Sequence, residues 1–391
     1  MAASENAYRT TSELRILIVG GGIAGLTLAA LLRQRGLRPV VIEQAQAYAP
    51  VGYVLTLWPA GGRILKGLGL HERFVAAGLP MRRYNVAGED GRVIRGYDLD
   101  APSRTYGPLI SIARADLLEV LRAGLLDAPI RMGTTVAAIV QDSAAVSATF
   151  SDGTRAEFDL VVGADGLRSR VRELVFGRTP LRYAGVTGWA FWIEPEFEPP
   201  DEITEYWGAG HFFGVYPAKG RLAAFVALAA PANAPDPPTG RIERIRREFG
   251  HLGGIVPQIL TELREPESIH HDDFNDLKMK LWRKGRVVLI GDSSHGILPT
   301  GGVGASLAME SAAALADELS RADSRDLELA LDRYVRRRRP RVDRIQAQSR
   351  LMGRFMLIRG RRLSAMRNWL LRFYSDQAML RYWSAILNEP I

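Results

Sequence analysis

The sequence of 391 residues predicts an α/β fold with an inserted β-rich domain and helices at its C-terminal end. Three observations support this prediction. Near the N-terminus, an apolar, β-branched run meets a glycine-rich turn and then a helical pattern. Residues 180–230 are rich in aromatic and β-forming residues, which is typical of a sheet. A second run of strand, glycine-rich loop and helix follows near residue 290.

Composition narrows the classes of function. The chain is 47% apolar and 24% charged, which is ordinary for a globular protein. It contains no cysteine, which excludes disulfides, thiolate catalysis and cysteine-based metal sites. Its six histidines lack metal-binding spacings, so we expect no metal site. Residues 1–13 lack the apolar core of a secretory signal, and the apolar run 16–32 is interpreted as a buried strand–turn–helix, so we expect a cytoplasmic protein.

The predicted elements follow one another along the chain. The first half contains a strand in "LRILIVGGG", a helix over 23–36, a strand in "RPVVIEQ", a helix over 62–77, a strand pair turning at Asp90-Gly91, a helix over 113–126 and a hairpin turning at Asp152-Gly153. The second half contains a buried strand in "LVVGADG", the β-rich run, a proline-rich surface loop at 230–240, a helix in "RIERIRREFG", a strand in "KGRVVLIGD" and a helix in "ASLAMESAAALADELS".

The first motif is G-x-G-x-x-G, formed by Gly20, Gly22 and Gly25 between a strand and a helix. The first glycine allows the tight turn, the second the approach of a pyrophosphate, and the third close packing of helix and strand. Glu43 closes the second strand eighteen residues after Gly25, where its carboxylate can bind a ribose. The motif therefore predicts a Rossmann-like dinucleotide site, and the acid disfavours NADP as its ligand.

Two later stretches also join a buried strand to a helix. In "LVVGADGLRSRVR", Asp165 precedes a glycine, and we expect it to cap the next helix. The other stretch, "GDSSHGILPTGGVGASLAMESA" (291–312), offers free amides at a helix start. It is not a hydrolase G-x-S-x-G turn, because His295 stands where the second glycine is needed. We expect this histidine to tie the loop to its neighbours.

Together, these motifs resemble those of the single-component FAD-dependent aromatic hydroxylases, the flavoprotein monooxygenases of the para-hydroxybenzoate hydroxylase type. The resemblance covers about residues 14–350. It implies a glutathione-reductase-type FAD-binding domain, reduction of FAD by transiently bound NADH or NADPH, and reaction with molecular oxygen to a C4a-hydroperoxide. That species would hydroxylate an aromatic or polyketide-like small molecule.

The resemblance also implies residues for the cofactor. They are Gly20, Gly22, Ala24 and Gly25 for the pyrophosphate, Glu43 and Gln44 for the adenosine ribose, Arg114 for the phosphates or ribityl chain, Val136 near the adenine, Asp165 near the region facing FAD and NAD(P)H, Gly291 and Asp292 for the ribityl chain, Pro299 beside the reactive carbon of the ring, and Gly302, Val303, Gly304 and Ala305 for its pyrimidine oxygen.

The substrate residues are less determined by the sequence. Gly52-Tyr53-Val54 replaces a small loop of many relatives, and Ala190 follows Trp189 where some relatives carry an arginine for an acidic substrate. The aromatic run therefore favours a flat, apolar substrate, with Tyr53, Trp189, Phe213 and Tyr216 as candidate contacts. No catalytic base is assigned, and the candidates for a catalytic role are His211, Tyr216 and Pro299.

The domain division and the partners complete the predictions. We expect an FAD-binding domain formed by 14–75, 105–178 and 282–391, and a substrate domain formed by 76–104 and 179–281. Fourteen arginines lie between residues 333 and 372, and we interpret them as a solvated helix face. We expect no nucleic acid and no membrane contact, and a monomer or homodimer. The alternatives are a flavin-dependent halogenase, whose W-x-W-x-I-P segment is absent, and a non-catalytic FAD-binding protein.

Overall fold

The computed structural model describes residues 14–48, 53–125, 128–197 and 199–387. Residues 1–13, Gly52 and the end of the helix predicted over 113–126 lie outside these ranges. The strands are β1 Ile16–Val19, β2 Val40–Ile42, β3 Val54–Leu57, β4 Leu79–Pro80, β5 Arg83–Ala87, β6 Val93–Asp98, β7 Ile110–Ala113, β8 Ile130–Arg131, β9 Val136–Gln141, β10 Val146–Phe150, β11 Arg155–Phe158, β12 Leu160–Gly163, β13 Arg182–Ile193, β14 Ile203–Trp207, β15 His211–Ala218, β16 Arg221–Ala229, β17 His270–Asp276, β18 Arg283–Lys284 and β19 Val287–Leu289.

The helices surround these strands. They are α1 Ile23–Gln34, α2 Pro59–Gly67, α3 His71–Ala77, α4 Asp100–Tyr106, α5 Arg114–Ala123, α6 Arg170–Phe176, α7 Arg241–Phe249, α8 Val256–Glu262, α9 Asp292–His295, α10 Gly304–Leu319, α11 Leu327–Met356, α12 Arg361–Leu371 and α13 Asp376–Leu387, with 3-10 turns at Pro266–Ser268 and Pro299–Gly301. Within the described residues, no helix combines the length and the apolar character that crossing a membrane requires.

A sheet that is mainly parallel forms the first layer. Among the described residues its order is β18-β19-β12-β1-β2-β8, and only the β18–β19 pair is antiparallel. Its central strands are fully buried, as apolar runs covered on both faces must be. From β1 the chain passes through α1 to β2 on one side, while β12 pairs with β1 on the other. Such a switch point leaves a crevice at the carboxyl ends of the strands, which is the common ligand site of this architecture.

A second, mostly antiparallel sheet forms the other large layer. Among the described residues its order is β17-β13-β16-β15-β14-β5-β6, so the predicted strand pair at Asp90-Gly91 is joined to strands from the middle of the chain. One face packs under α7 and α8. The other face approaches the loop before α10 and the C-terminal helices, where it encloses a cavity. The α/β fold class with an additional β-rich layer is confirmed, and the exact domain boundaries stay a prediction.

The single helix predicted over 62–77 is wrong, because two helices fill that range. α2 ends in a Schellman motif: the Leu70 amide donates to the carbonyl of Leu65 (2.8 Å), and the Gly69 amide to that of Lys66 (3.0 Å). Gly69 has a φ of +74°, a conformation that favours glycine, and α3 begins two residues later.

The interpretation of the arginine-rich segment as a solvated face is also wrong for several of its members. Arg338 and Arg341 are buried and bind the buried carboxylate of Glu310, at 2.9 and 2.6 Å. Arg350 binds Asp276, which is completely buried (Nη2 to Oδ1, 2.6 Å). A buried charge is stable only when it is paired and hydrogen-bonded, so these arginines tie the C-terminal helices to the rest of the fold.

Candidate functional site

The glycine-rich turn between β1 and α1 forms one end of the site. Gly20 has a φ of +110°, and a Cβ there would lie 2.5 Å from the carbonyl oxygen of Ala164. A Cβ on Gly25 would lie 1.9 Å from the carbonyl oxygen of Gly20, so this packing requires glycine. A Cβ on Gly22 would have no atom of the described residues within 4 Å, so Gly22 borders open space in that part of the chain. Because no side chain of the described residues caps α1, its first amides are available to an anion.

Glu43 directly follows β2 and lies against this turn. Its carboxylate accepts hydrogen bonds from the amides of Gly21 (2.7 Å) and Ala45 (2.9 Å). The Tyr48 hydroxyl donates to the carbonyl of Gly21 (2.8 Å), which fixes the turn from the other side. These bonds hold the carboxylate beside the N-terminus of α1, at the place where the ribose of a dinucleotide binds in this architecture.

The other residues predicted to contact the nucleotide show no side-chain arrangement that points to a ligand. Gln44 is exposed next to Glu43. Ala24 and Val136 are buried in the main apolar core, so a ligand would meet their backbone. The carboxylate of Asp165 accepts hydrogen bonds from the Ser169 hydroxyl and from the first amides of α6. Asp165 therefore helps to start that helix, as the sequence predicts.

A charged group forms the middle of the site. Asp292 begins α9, just after the carboxyl end of β19, and its side chain is exposed although many protein atoms surround the carboxylate. Burial raises its pKa to about 6, and the guanidinium of Arg114 opposes this rise. Within the described residues, no hydrogen bond reaches the Asp292 carboxylate. The amide of Arg114 donates to the carbonyl of Tyr53 (3.0 Å), which brings β3 to the same wall.

The loop around Asp292 is held by buried polar contacts. The Ser293 hydroxyl donates to the carbonyl of Gly163 (2.6 Å), and the Ser294 hydroxyl to that of Gly291 (3.0 Å). His295 is buried, its Nε2 lies 2.9 Å from the Ser311 hydroxyl, and burial lowers its pKa to about 3. A buried neutral imidazole bound in this way is a structural contact, as expected from the sequence.

The turn before α10 forms the far end of the site. Gly302 has a φ of +61°, and its carbonyl accepts a hydrogen bond from the indole of Trp58 (3.0 Å). The Thr300 hydroxyl donates to the carbonyl of Ser349 (2.7 Å). α10 begins at Gly304, where its first amides lack intrahelical partners, and no side chain in the described part of the chain caps them. Partial positive charge is therefore concentrated here, beside Pro299.

Two cavities meet at this turn. The first has a volume of about 300 Å³ and is lined by Tyr53, Ala305 and the turn residues. The second, which we call the aromatic cavity, has a volume of about 490 Å³. Its aromatic walls are Trp58, Tyr84, Tyr97, Trp207, Phe212, Tyr216, Phe225, Phe274, Phe355, Tyr374 and Trp383. Both cavities are lined by Thr56, Tyr216, Phe225, Phe274, Pro299 and Gly302, so they adjoin along a common wall.

Three of the residues predicted for substrate binding or catalysis lie elsewhere. Trp189 and Phe213 are buried under α7 and α8, and the ring of His211 contacts that of Phe249 in an edge-to-face arrangement, with the ring centroids 5.9 Å apart. Neighbouring residues of a strand point to opposite faces, so Phe212 and Tyr216 line the aromatic cavity while His211 and Phe213 face away from it. Trp189, Phe213 and His211 are therefore wrong as substrate or catalytic candidates. Tyr53, Tyr216 and Pro299 line the two cavities, and their roles stay predictions.

Glu205, which also lines the aromatic cavity, is not among the residues predicted from the sequence. A signal for it exists in "ITEYW", because Ile203, Glu205 and Trp207 alternate along β14 and an acid occupies an apolar face. Tyr84, Trp58 and the C-terminal Trp383 also line this cavity, and no sequence motif around them predicts it.

The residues present fit FAD. The open space at Gly22 and the uncapped start of α1 suit a pyrophosphate, and Glu43 suits the ribose. Among the described residues none donates a hydrogen bond to the Asp292 carboxylate, which is exposed, and hydroxyl groups of a ribityl chain would satisfy it. The uncapped start of α10 offers amides to an electron-rich ring edge.

Comparisons with known proteins agree with this geometry. Residues 13–349 match the FAD binding domain family. The 2-heptyl-3-hydroxy-4(1H)-quinolone synthase of Pseudomonas aeruginosa is 30% identical over 344 residues, which are 87% of this chain and 89% of the relative. The 3-amino-4-hydroxybenzoate 2-monooxygenase of Streptomyces cremeus is 34% identical over 351 residues, 87% of each chain.

A solved structure extends the similarity to the whole fold. The crystal structure of Klebsiella pneumoniae HpxO complexed with FAD and uric acid has a TM-score of 0.87 and 25% sequence identity, and it covers 99% of this chain and 100% of its own. The chain thus belongs to the FAD binding domain family and is an FAD-dependent monooxygenase, an oxidoreductase that uses molecular oxygen and, as is typical of the family, NAD(P)H.

Proposed function

We propose that this monooxygenase hydroxylates a flat, largely apolar aromatic small molecule bound in the aromatic cavity, with NADH or NADPH as the reductant. The observation that carries this proposal is the common wall of the two cavities, where Tyr216, Pro299 and Gly302 line both. A flavin ring in the first cavity would therefore adjoin a substrate in the second. Bound FAD supplies the electron transfer and the activation of oxygen.

The chain's own residues bind and orient the cofactor. We infer that the start of α1 at Gly22 binds the pyrophosphate, that Glu43 accepts hydrogen bonds from the ribose and that Asp292 accepts them from the ribityl chain. Arg114, beside Asp292, adds a positive charge near the phosphates. The partial positive charge at the start of α10 would stabilise negative charge on the reduced ring, in the way an oxyanion hole stabilises an oxyanion.

The aromatic cavity supports the substrate class. Its walls are mostly aromatic and aliphatic, which suits a flat ring system and limits the access of water to the oxidising centre. The named activities of the relatives, on a quinolone and on an aminohydroxybenzoate, support a small aromatic substrate. The volume of about 490 Å³ also accommodates a polyketide-like molecule with fused rings. Halogenation has no support, because these relatives are named as a synthase and a monooxygenase.

The partners follow from the same reaction. We infer that the protein acts in the cytoplasm, where nicotinamide cofactors are available, on a freely diffusing molecule and as a monomer or homodimer. The buried ion pairs of Arg338, Arg341 and Arg350 argue against nucleic acid, because these side chains are already bound to acids of the fold.

A screen of aromatic compounds tests the proposal. The purified, FAD-loaded protein is mixed with NADH or NADPH and each compound, and the rate of nicotinamide oxidation, the release of hydrogen peroxide and the product mass are measured. We expect at least one aromatic compound to accelerate oxidation and to gain one oxygen atom with little peroxide release. Acceleration by no aromatic compound, or formation of peroxide alone, would contradict the proposal.

A further inference from the structure

Glu205 is an acid in an apolar wall. It lies on β14 between Ile203 and Trp207 on the face that borders the aromatic cavity, and it is only 8% exposed. Acids are rarely buried unless they are paired with a cation or bind a ligand. An acid here therefore requires an explanation from its contacts.

Three donors converge on the Glu205 carboxylate. Its Oε1 accepts a hydrogen bond from the Tyr216 hydroxyl (2.8 Å), and its Oε2 accepts hydrogen bonds from the Tyr84 hydroxyl (2.6 Å) and the Trp207 indole (3.0 Å). A carboxylate has about four acceptor positions, two on each oxygen. One position on Oε1 is left, beside Tyr216 on the wall shared by the two cavities.

The Glu205 carboxylate has no counter-ion among the described residues that line the cavity. Among the described residues that line the aromatic cavity, Glu205 is the one acid, and none is lysine, arginine or histidine. Burial raises the pKa of Glu205, while the donors from Tyr84, Trp207 and Tyr216 favour its ionised form. The pKa values of Tyr84 and Tyr216 are raised well above their ordinary value, so both phenols stay protonated and can donate.

We propose that Glu205 determines substrate specificity by accepting a hydrogen bond from an N–H group on the aromatic substrate, and that it excludes aromatic carboxylates. This inference rests on the proposed function. An N–H donor would fill the remaining acceptor position and offset the uncompensated charge. A carboxylate would bring a second negative charge into a cavity to which the described residues contribute no basic side chain, which is strongly unfavourable at low dielectric.

Three naphthalene probes of similar shape test the proposal by binding to the FAD-loaded protein. They are 1-aminonaphthalene, which donates N–H bonds, 1-methylnaphthalene, in which a methyl group replaces the amine, and 1-naphthoate, which is anionic. Dissociation constants are measured by equilibrium dialysis and by changes in the flavin absorbance spectrum. We expect the amine to bind about 10-fold more tightly than the methyl compound, as a hydrogen bond to a charged group predicts, and the naphthoate to bind most weakly.

A Glu205→Gln variant removes the charge at nearly constant volume. We expect 1-naphthoate to bind about 10-fold more tightly to it than to the wild type, and the preference for the amine over the methyl compound to shrink. Glu202→Gln is the matched control, because Glu202 lies at the surface in an ion pair with Arg83 (3.4 Å). It should leave all three dissociation constants unchanged.

The outcomes separate this inference from the proposed function. If naphthalenes bind but the wild type does not prefer the amine, or binds naphthoate equally well, the role of Glu205 is refuted while the proposed function stands. If no probe binds and no aromatic compound accelerates NAD(P)H oxidation, the proposed function fails and this inference with it. The wild-type comparison needs no variant, so a Glu205→Gln protein that does not fold leaves the test intact.

Discussion

The nucleotide end and the aromatic end of this site are built in different ways. At the nucleotide end, backbone makes the site: glycines at 20, 22 and 25 shape a turn, and the first amides of α1 supply donors. At the aromatic end, side chains make it, brought from β5, β14, β15 and the C-terminal helices. The backbone site depends on a few residues close in sequence, whereas the side-chain site depends on the packing of distant segments. Substitutions at the nucleotide end should therefore impair FAD binding, and substitutions at the aromatic end should impair the binding of aromatic ligands.

The largest effect is expected for Gly25→Ala. The new Cβ would lie 1.9 Å from the carbonyl oxygen of Gly20, so α1 must move away from the turn. We expect FAD affinity to fall on the order of 100-fold, equivalent to about 3 kcal/mol, measured as FAD content and by titration. Gly62→Ala is the control: its Cβ would lie 3.8 Å from Phe74 inside α2, and FAD content should not change. Full FAD retention by Gly25→Ala would contradict the view that the backbone packing of this turn makes the nucleotide end.

Gly214→Ala tests the aromatic end with the same kind of substitution. A Cβ at residue 214 would lie 2.5 Å from the ring of Tyr216, so that ring must leave its place at the wall of both cavities. We expect the affinity for aromatic ligands to fall about 10-fold, since overpacking costs about 1–3 kcal/mol, with FAD content unchanged. Loss of FAD with unaltered ligand binding would show that the two ends are not separable in this way.

Asp292→Asn separates stability from FAD binding, because the Asp292 carboxylate destabilises the FAD-free fold at neutral pH but is expected to bind the cofactor. Its pKa in the fold, about 6, lies above the ordinary value, so its contribution to stability is fully present below about pH 3.8 and is lost as the pH rises to about 6. Asparagine does not titrate. At pH 7, relative to the wild type, we expect the FAD-free variant to be more stable and its FAD affinity to be several-fold lower.

Thermal unfolding of both FAD-free proteins at pH 4 and pH 7, with FAD titrations at pH 7, checks the Asp292 prediction. A variant that is less stable at pH 7 and binds FAD normally would show that Asp292 has only a structural role.

The smallest effect is expected for His295→Gln. The pKa of His295 is lowered to about 3, so its contribution to stability is present above about pH 6.5 and is lost as the pH falls towards 3. We expect the variant to lose less stability on acidification than the wild type. At each pH between 6 and 9, its turnover should differ from that of the wild type by less than about 2-fold. Loss of a general base would lower turnover about 100-fold or more. Loss of one limb of the pH–rate profile would identify His295 as a base.

The contrast between the nucleotide end and the aromatic end also explains which parts of the site could be predicted from the sequence. The strand, turn and helix around Gly20 and the acid at Glu43 follow from local spacing, and the structure brings them together. The order of the aromatic residues in "HFFGVYPA" does not reveal which face is covered by helices. Only the packing of α7 and α8 decides that Phe213 is core and Tyr216 is cavity wall.

Contacts between distant segments had no signal in the sequence. Tyr84 and Glu205 are 121 positions apart, and Arg341 binds Glu310 across 31 positions. A run of arginines looks solvated until its acidic partners are known. The break at Gly69 could have been predicted, because "LGL" within an amphipathic run fits a Schellman ending.

Isotope labelling with ¹⁸O2 tests most directly whether the protein hydroxylates an aromatic compound with oxygen from O2. The FAD-loaded protein is given NADH or NADPH and an aromatic compound that accelerates nicotinamide oxidation, and the product is analysed by mass spectrometry. We predict a product hydroxylated on the aromatic compound that carries one heavy oxygen atom from O2, with no incorporation from labelled water. A product without the label, or consumption of nicotinamide that yields only hydrogen peroxide with every compound tested, would contradict the proposed hydroxylation of an aromatic compound.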